Sequence, residues 1–259
     1  MVKGSFRKVL GSSRLLKLNF GILCLHILLM SSFVALPGQF ENAGLPPSEH
    51  WKVYLATMLI SFVAVLPFII IAEAKRKMKA VFVSCVALLV IAEIILWGAG
   101  THFWTLVVGV QVFFFAFNLM EAILPSLISK ESPAGYKGTA MGVYSTSQFI
   151  GVAIGGSLGG WIFGHIDAQT VFLAGTLLAV VWLLVSLTMQ EPPYVSSLRL
   201  VSGNLQHAAG LEKKLAAVPG VSSVMMVPAE NSIYVKIDSK VTSREALETL
   251  VADYQPQPA

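Results

Sequence analysis

Six apolar runs occupy the chain up to Gln190: Leu18 to Leu36, Val53 to Ala72, Val81 to Trp97, Phe103 to Leu127, Met141 to Phe163 and Val171 to Met189. Each approaches the ~20 helical residues that a bilayer core demands, so the pattern predicts six transmembrane helices. The composition agrees, since 55% hydrophobic and 12% charged residues with a mean hydropathy of +0.73 are too apolar for an ordinary soluble domain. A basic segment, Met1 to Lys17, precedes the first run. That run is too long for a cleaved signal segment and no small-residue cleavage pattern follows it, so it is expected to be retained.

The segments between the runs are short and carry turn signals: Pro37 to Glu49, Glu73 to Lys79, Gly98 to His102, Ser129 to Gly138 and Gly164 to Thr170. Positive charge is distributed unevenly among them. One end of the bundle receives Lys3, Arg7, Lys8, Arg14, Lys17, Lys75, Arg76, Lys77, Lys79, Lys130 and Lys137, and the other only Lys52. Because Lys and Arg near a span are retained on the cytoplasmic side, both termini are expected in the cytoplasm of a multi-pass plasma (inner) membrane protein. The loops holding Glu41, His102 and Asp167 then face outside.

Pro192 and Pro193 end the last run, and a different composition follows. A strand is expected over Ser197 to Val201, an amphipathic helix over Leu205 to Val218, and two strands over Val221 to Val227 and Ser232 to Asp238 about the turn Pro228 to Asn231. A second helix, Ser243 to Val251, has Ser243 as its N-cap. The order βαββα predicts a small α+β ferredoxin-like domain without a last strand. The chain thus divides into a basic segment (1–17), a six-helix α-helical membrane domain (18–190), a linker (191–197) and a cytosolic domain (198–259).

Several function classes are excluded. The basic excess lies in the loops of the membrane part rather than on a water-facing surface, which argues against nucleic-acid binding. Cys24 and Cys85, both inside apolar runs, supply neither a disulfide framework nor a zinc site. No nucleophile-and-base pattern, phosphate-cradling loop or zinc-protease signature is present, so neither an enzyme nor an ATP-driven pump is expected, and no cofactor or metal.

Charge inside a bilayer costs several kcal/mol unless paired, protonated or hydrated, so Glu93 and Glu121 call for an explanation. On the fourth run Gln111, Phe114, Asn118, Glu121 and Pro125 share one face at 100° per residue, a face expected to line a cavity or a helix interface. The fifth run places Tyr144, Gln148, Gly151 and Gly155 on one face. Its glycines recur every four residues as Gly151, Gly155, Gly159 and as Gly156, Gly160, Gly164, a spacing that lets helix backbones approach closely. His26 is an ionisable group within the first run.

Six spans with both ends inside, the basic loop Glu73-Ala-Lys-Arg-Lys-Met-Lys79 after the second, and a glycine-rich fifth together resemble the C-terminal half of a major facilitator superfamily transporter. The run Phe117-Asn-Leu-Met-Glu-Ala-Ile-Leu-Pro-Ser-Leu-Ile-Ser129, joined to the ferredoxin-like tail, resembles the YajR-type subgroup, whose appendage is called the YAM domain. The resemblance implies a proton-coupled secondary transporter, exporting or importing a small solute, whose path lies between two six-helix halves. The partner is then a missing N-terminal half or a second copy, with membrane lipid around both. It also implies that the fourth run lines the cavity, which makes Glu121 the first candidate proton carrier; His26 ranks below it as a relay partner, and the polar faces of the fourth and fifth runs make Gln111, Asn118, Tyr144 and Gln148 candidate cavity residues. Glu73, Lys75, Arg76 and Lys77 become a candidate gating loop, with Glu in place of the family's usual Asp and no glycine after the first basic residue. Glu93 is expected to snorkel to the outer interface.

Two other functions fit the residues. One is a membrane-anchored interaction or regulatory protein displaying the ferredoxin-like domain. The other is a metal sensor, because Leu215-Ala-Ala-Val-Pro-Gly-Val-Ser-Ser-Val224 resembles heavy-metal-associated domains. Those domains bind through a cysteine pair that is lacking here, where His207 stands alone.

Overall fold

The computed structural model describes residues 5–202, 205 and 209–254. Among these residues there are ten α-helices and three strands. Helix α1 (Ser5–Leu10) leads into α2 (Ser13–Asn42), whose first turn is capped by the Ser12 hydroxyl accepting from the Leu15 N–H at 3.4 Å. At 30 residues α2 is about 45 Å long at 1.5 Å per residue. It continues through Pro37, which was expected to open a loop; the missing proline N–H removes one bond from a helix held elsewhere by packing.

The second run instead forms two helices, α3 (His50–Ala64) and α4 (Leu66–Ala74), interrupted at Val65. Pro67 explains the break, because it has no N–H to offer the Val63 carbonyl one turn earlier. Then come α5 (Met78–Ala99), α6 (Phe103–Glu131), α7 (Lys137–His165) and α8 (Ala168–Leu187). His102 caps α6 through Nδ1, which accepts from Thr105 N–H at 3.3 Å, and Asp167 caps α8 at 2.6 Å.

Among the described residues five segments are long and apolar enough to cross a membrane: Ser13–Asn42, Pro47–Ala74, Met78–Ala99, Phe103–Glu131 and Ala168–Leu187. The remaining expected span, Met141 to Phe163, is helical throughout within α7 but is not among these five. Its glycines and its Ser, Thr and Gln residues dilute the apolar content that the other spans carry.

The glycines of α7 have two distinct surroundings. A Cβ added at Gly151, Gly155 or Gly159 would lie 2.5 Å from Leu23 O, 2.6 Å from Ile27 O and 2.8 Å from Ser31 Cα respectively. Leu23, Ile27 and Ser31 also repeat every four residues, so two ridges interlock where α7 crosses α2. Gly156, Gly160 and Gly164 face open space instead, so the second glycine series makes no helix contact among the described residues.

Helix α2 packs on α7 and α8, α5 on α6 and α8, and α3 on α6. Their shared core is closed by large side chains, among them Trp182 and Phe82, whose rings meet edge-on at 6.1 Å. Large apolar side chains also cover the outside of α3, α4, α7 and α8, including Phe62, Phe149 and Leu184. Such a surface suits lipid or further helices.

The C-terminal part has its own core. Strands β1 (Ser196–Val201), β2 (Val221–Val227) and β3 (Ser232–Ile237) form an antiparallel sheet in the order β1-β3-β2. Helices α9 (Ala209–Ala216) and α10 (Arg244–Ala252) pack on one face through Leu211, Leu215 and Leu247 against Leu200, Ile233 and Val235. The Ser243 hydroxyl caps α10, accepting from Ala246 N–H at 3.2 Å, and Asn231 makes the β2–β3 turn at φ 45°. The observed order βαββα matches expectation, with β1 beginning one residue early and with residues 206–208 of the expected first helix outside the described residues.

Candidate functional site

Three helices meet at His26. Its Nδ1 lies 3.2 Å from the carbonyl of Ile22 in the preceding turn of α2, and its Nε2 lies 3.1 Å from the Gln148 side-chain nitrogen of α7. An amide nitrogen can only donate, so Nε2 accepts from Gln148, and Nδ1 carries the proton it donates to Ile22. The carboxylate of Glu121, from α6, places Oε1 3.4 Å from the same Nε2. Among the described residues Oε1 has no hydrogen-bond partner, and Nε2, which accepts from Gln148, has no proton to give it, so two acceptors face each other until one proton is added. The imidazole is nearly covered, at 6% exposure, whereas the Glu121 side chain is 35% exposed and offers a route to that proton. Phe117 closes the edge of the imidazole at 5.7 Å. Tyr144 precedes Gln148 by one turn on α7 and is buried with its hydroxyl unpartnered.

The other polar groups of the α6 face turn away from this cluster. Gln111 donates to Ser61 Oγ at 2.8 Å and to the Thr57 carbonyl at 3.2 Å, and Asn118 Nδ2 lies 3.4 Å from Met58 Sδ, all on α3. Phe114 is buried among Phe33, Tyr54 and Phe113. The four expected cavity residues therefore fall into two groups, with Tyr144 and Gln148 beside His26 and Glu121, and Gln111 and Asn118 tying α6 to α3.

Glu93 does not snorkel. It is 1% exposed, accepts from Ser32 Oγ at 3.3 Å, and abuts Gly175, where a Cβ would sit 2.5 Å from Oε2. The expectation failed because closeness to the helix end in sequence ignores direction: the side chain points inward between α2 and α8, where no water reaches it.

The expected gating loop is a turn between α4 and α5. Glu73 accepts from Ser126 Oγ at 2.5 Å and pairs with Lys130 at 2.9 Å, so it joins α4 to α6. Arg76 has a positive φ of 53°, a conformation glycine would adopt freely. Its guanidinium grips Asp238 with two bonds, Nη1 to Oδ2 at 2.9 Å and Nη2 to Oδ1 at 2.5 Å, and covers the ring of Tyr194 at 5.4 Å. Lys75 and Lys77 are exposed. The guanidinium beside Asp238, with Lys240 N–H, holds that carboxyl well down, at about 2.

Asp238 and the other partners in this region differ in how far the sequence announces them. Lys236 Nζ donates to the carbonyls of Ser129 and Lys130 at 2.8 and 2.7 Å, in the last turn of α6. Burial lowers its ammonium to about 8, against an opposing pull from Glu131. In the strand alternation Val235-Lys236-Ile237 a lysine reads as solvent-facing, so nothing local announces such a partner. The Ser126–Lys130 pair, by contrast, stands four apart on one face of α6 and could have been found by helical spacing. Among the described residues no three His, Cys, Asp or Glu side chains cluster to hold a metal; His207 lies outside them.

Comparison with known proteins bears on both parts. The family model for the YajR YAM domain matches residues 201–253. The Escherichia coli (strain K12) inner membrane transport protein YajR is 69% identical over 252 residues, covering 97% of this chain and 56% of that protein. An uncharacterized transporter of Buchnera aphidicola subsp. Acyrthosiphon pisum is 36% identical over 154 residues, 58% of this chain and 40% of the relative. Another, from Buchnera aphidicola subsp. Baizongia pistaciae, is 31% identical over 188 residues, 71% and 47% respectively. The chain spans about half the length of these curated relatives, which are named as transporters rather than enzymes.

Proposed function

We propose that this chain, which matches the YajR YAM domain model over residues 201–253 and is 69% identical to a YajR transporter over 252 residues, is the C-terminal half of a proton-coupled secondary transporter of the major facilitator type. It works with six further helices, from an N-terminal half or a second copy, moving a small solute along the shared path. Both ends of the chain and the α+β domain lie on the cytoplasmic side, in keeping with the basic loops.

The observation that carries the reading is the contact between His26 Nε2 and Glu121 Oε1, which lacks one proton. Taking up that proton turns a lone-pair clash into a charge-assisted bond between α2 and α6; losing it releases the two helices. The same proton takes the Nε2 lone pair that accepts from Gln148, so the α7 amide has to give up that bond or turn its oxygen toward the ring, and three helices respond to one proton. Solute then binds on the open side of Glu121, next to Tyr144 and Gln148.

The whole transporter in proteoliposomes tests this. With a pH-sensitive dye inside, a substrate gradient is expected to drive proton movement in the parent and in the exposed α9 variant Lys213→Ala, and at least tenfold less in Glu121→Gln, while Glu121→Asp keeps part of it. Proton movement undiminished in Glu121→Gln removes the proposed role. The display function loses ground to transport because the relatives' names are those of transporters.

A further inference from the structure

The α+β domain has one sheet face covered by α9 and α10 and an opposite face that in isolation would meet water. On β3 the residues Ile233, Val235 and Ile237 enter the domain core, so Lys236 between them belongs to the opposite face. Yet Lys236 is only 4% exposed. Lysine is rarely buried so completely unless its ammonium is satisfied, and here the end of α6 satisfies it. Carbonyls in a last helical turn have no N–H partner within the helix and carry the negative end of its dipole, so an ammonium donating to two of them is a C-terminal cap supplied by another domain.

Two residues further on, Asp238 takes the guanidinium of Arg76 from the α4–α5 turn. A third contact seats Met225 of β2 against Gly135, in the turn between α6 and α7 at φ 78°, leaving no room for a Cβ there. The linker adds a fourth, as the Tyr194 hydroxyl accepts from the Met78 N–H at the start of α5 at 2.9 Å. The sheet thus holds two helix connections at the same end of the bundle, the α4–α5 turn and the end of α6 with the α6–α7 turn that follows it.

We propose that the α+β domain is a clamp on the membrane helices, with Lys236 on the end of α6 and Asp238 on Arg76 fixing the spacing between α6 and the α4–α5 turn. Lys236 is on β3 and Asp238 is the residue just after its end, two positions on and about 6.5 Å away, so the pair favours one separation of the helix ends they grip. Relative movement of α4 and α5 against α6 at this end requires the sheet to let go of one side. The clamp does not depend on the transport reading; if that reading holds, undocking becomes a step in the cycle.

Hydrogen exchange of the full chain in lipid nanodiscs tests the proposal. Asp238→Asn is expected to speed exchange about tenfold not only in residues 75–78 but also in residues 127–135, and Lys236→Gln to do the same in reverse, because either releases the whole sheet. Changes confined to the substituted residue's own turn, or no change at either, overturn the clamp. Should Asp238→Asn unfold the domain, seen as lost protection in β3, the exchanged pair Arg76→Asp with Asp238→Arg decides: recovered protection at both turns supports the clamp, and failure to recover it ends the proposal.

Discussion

A carboxylate in the membrane interior has to be paired, hydrated or otherwise satisfied, and Glu93 and Glu121 meet that demand differently. Glu121 shares an unfilled proton position with His26 and keeps an open side. Glu93 is enclosed, with Ser32 as its hydrogen-bond donor and Gly175 cut back to leave room for Oε2. Its part is to hold α5 to α2 beside α8. Glu93→Gln keeps the shape and can still accept from Ser32, so it is expected to change stability by less than about 1 kcal/mol. Glu93→Ala removes the partner of a buried hydroxyl and opens a cavity, and is expected to cost about 2–3 kcal/mol, read from thermal unfolding in detergent. Equal effects of the two substitutions would contradict this account. Residue type alone marked Glu93 and Glu121 as unusual; which of them faces an opening depends on side-chain direction, which neither hydropathy nor spacing encodes.

At the scale of elements, what the sequence shows and what it hides follow from range. The apolar runs and the alternating strands are local patterns, so α2 to α8 and β1 to β3 are legible within a few residues. The passage of α2 through Pro37 and the break at Val65 are not, because a proline's effect depends on whether neighbouring helices hold the chain around it. The glycine periodicity of α7 is visible, but sequence cannot say that Gly151, Gly155 and Gly159 meet α2 while Gly156, Gly160 and Gly164 meet nothing among the described residues. The two series should respond differently to substitution. Gly155→Val drives a side chain into the Ile27 carbonyl and is expected to lose about 1–3 kcal/mol, through separation of α7 from α2. Gly156→Ala has free space and removes a flexible residue from a helix interior, so it should be neutral or gain up to about 1 kcal/mol. Unfolding of each variant in the same detergent compares them directly; a loss at Gly156→Ala matching that at Gly155→Val would mean that a further helix, absent from this chain, packs on the second series.

At the scale of the whole molecule, residues 162 positions apart join the two parts, a distance over which no sequence pattern reaches. The groups that join them also fix how docking responds to pH. Asp238 faces Arg76 and Lys240, and its carboxyl is held down at about 2 against an ordinary value near 3.9. The undocked domain therefore binds a proton before the docked one does, so the ion pair's contribution is complete above about pH 4 and is lost as pH falls toward 2. Lys236 faces Glu131, Lys130 and Lys137, and burial lowers it to about 8 from an ordinary value near 10.4. Between those values the undocked state carries more protons than the docked one, so docking should tighten as pH rises from about 8 to 10. From about pH 4.5 to 7.5 neither group changes its charge between the two states. Docking, followed by exchange at residues 127–135, is accordingly expected to be flat across that interval, to weaken below about pH 4 and to strengthen above 8. A transition centred near pH 6 would require a titrating group other than these, and would overturn this assignment of the contact. Under the proposed uptake of a proton at His26 and Glu121, a flat response means that helices α2 and α6 move without directly discharging the contacts that hold the sheet, and undocking follows from the mechanical spacing between Arg76 and the end of α6.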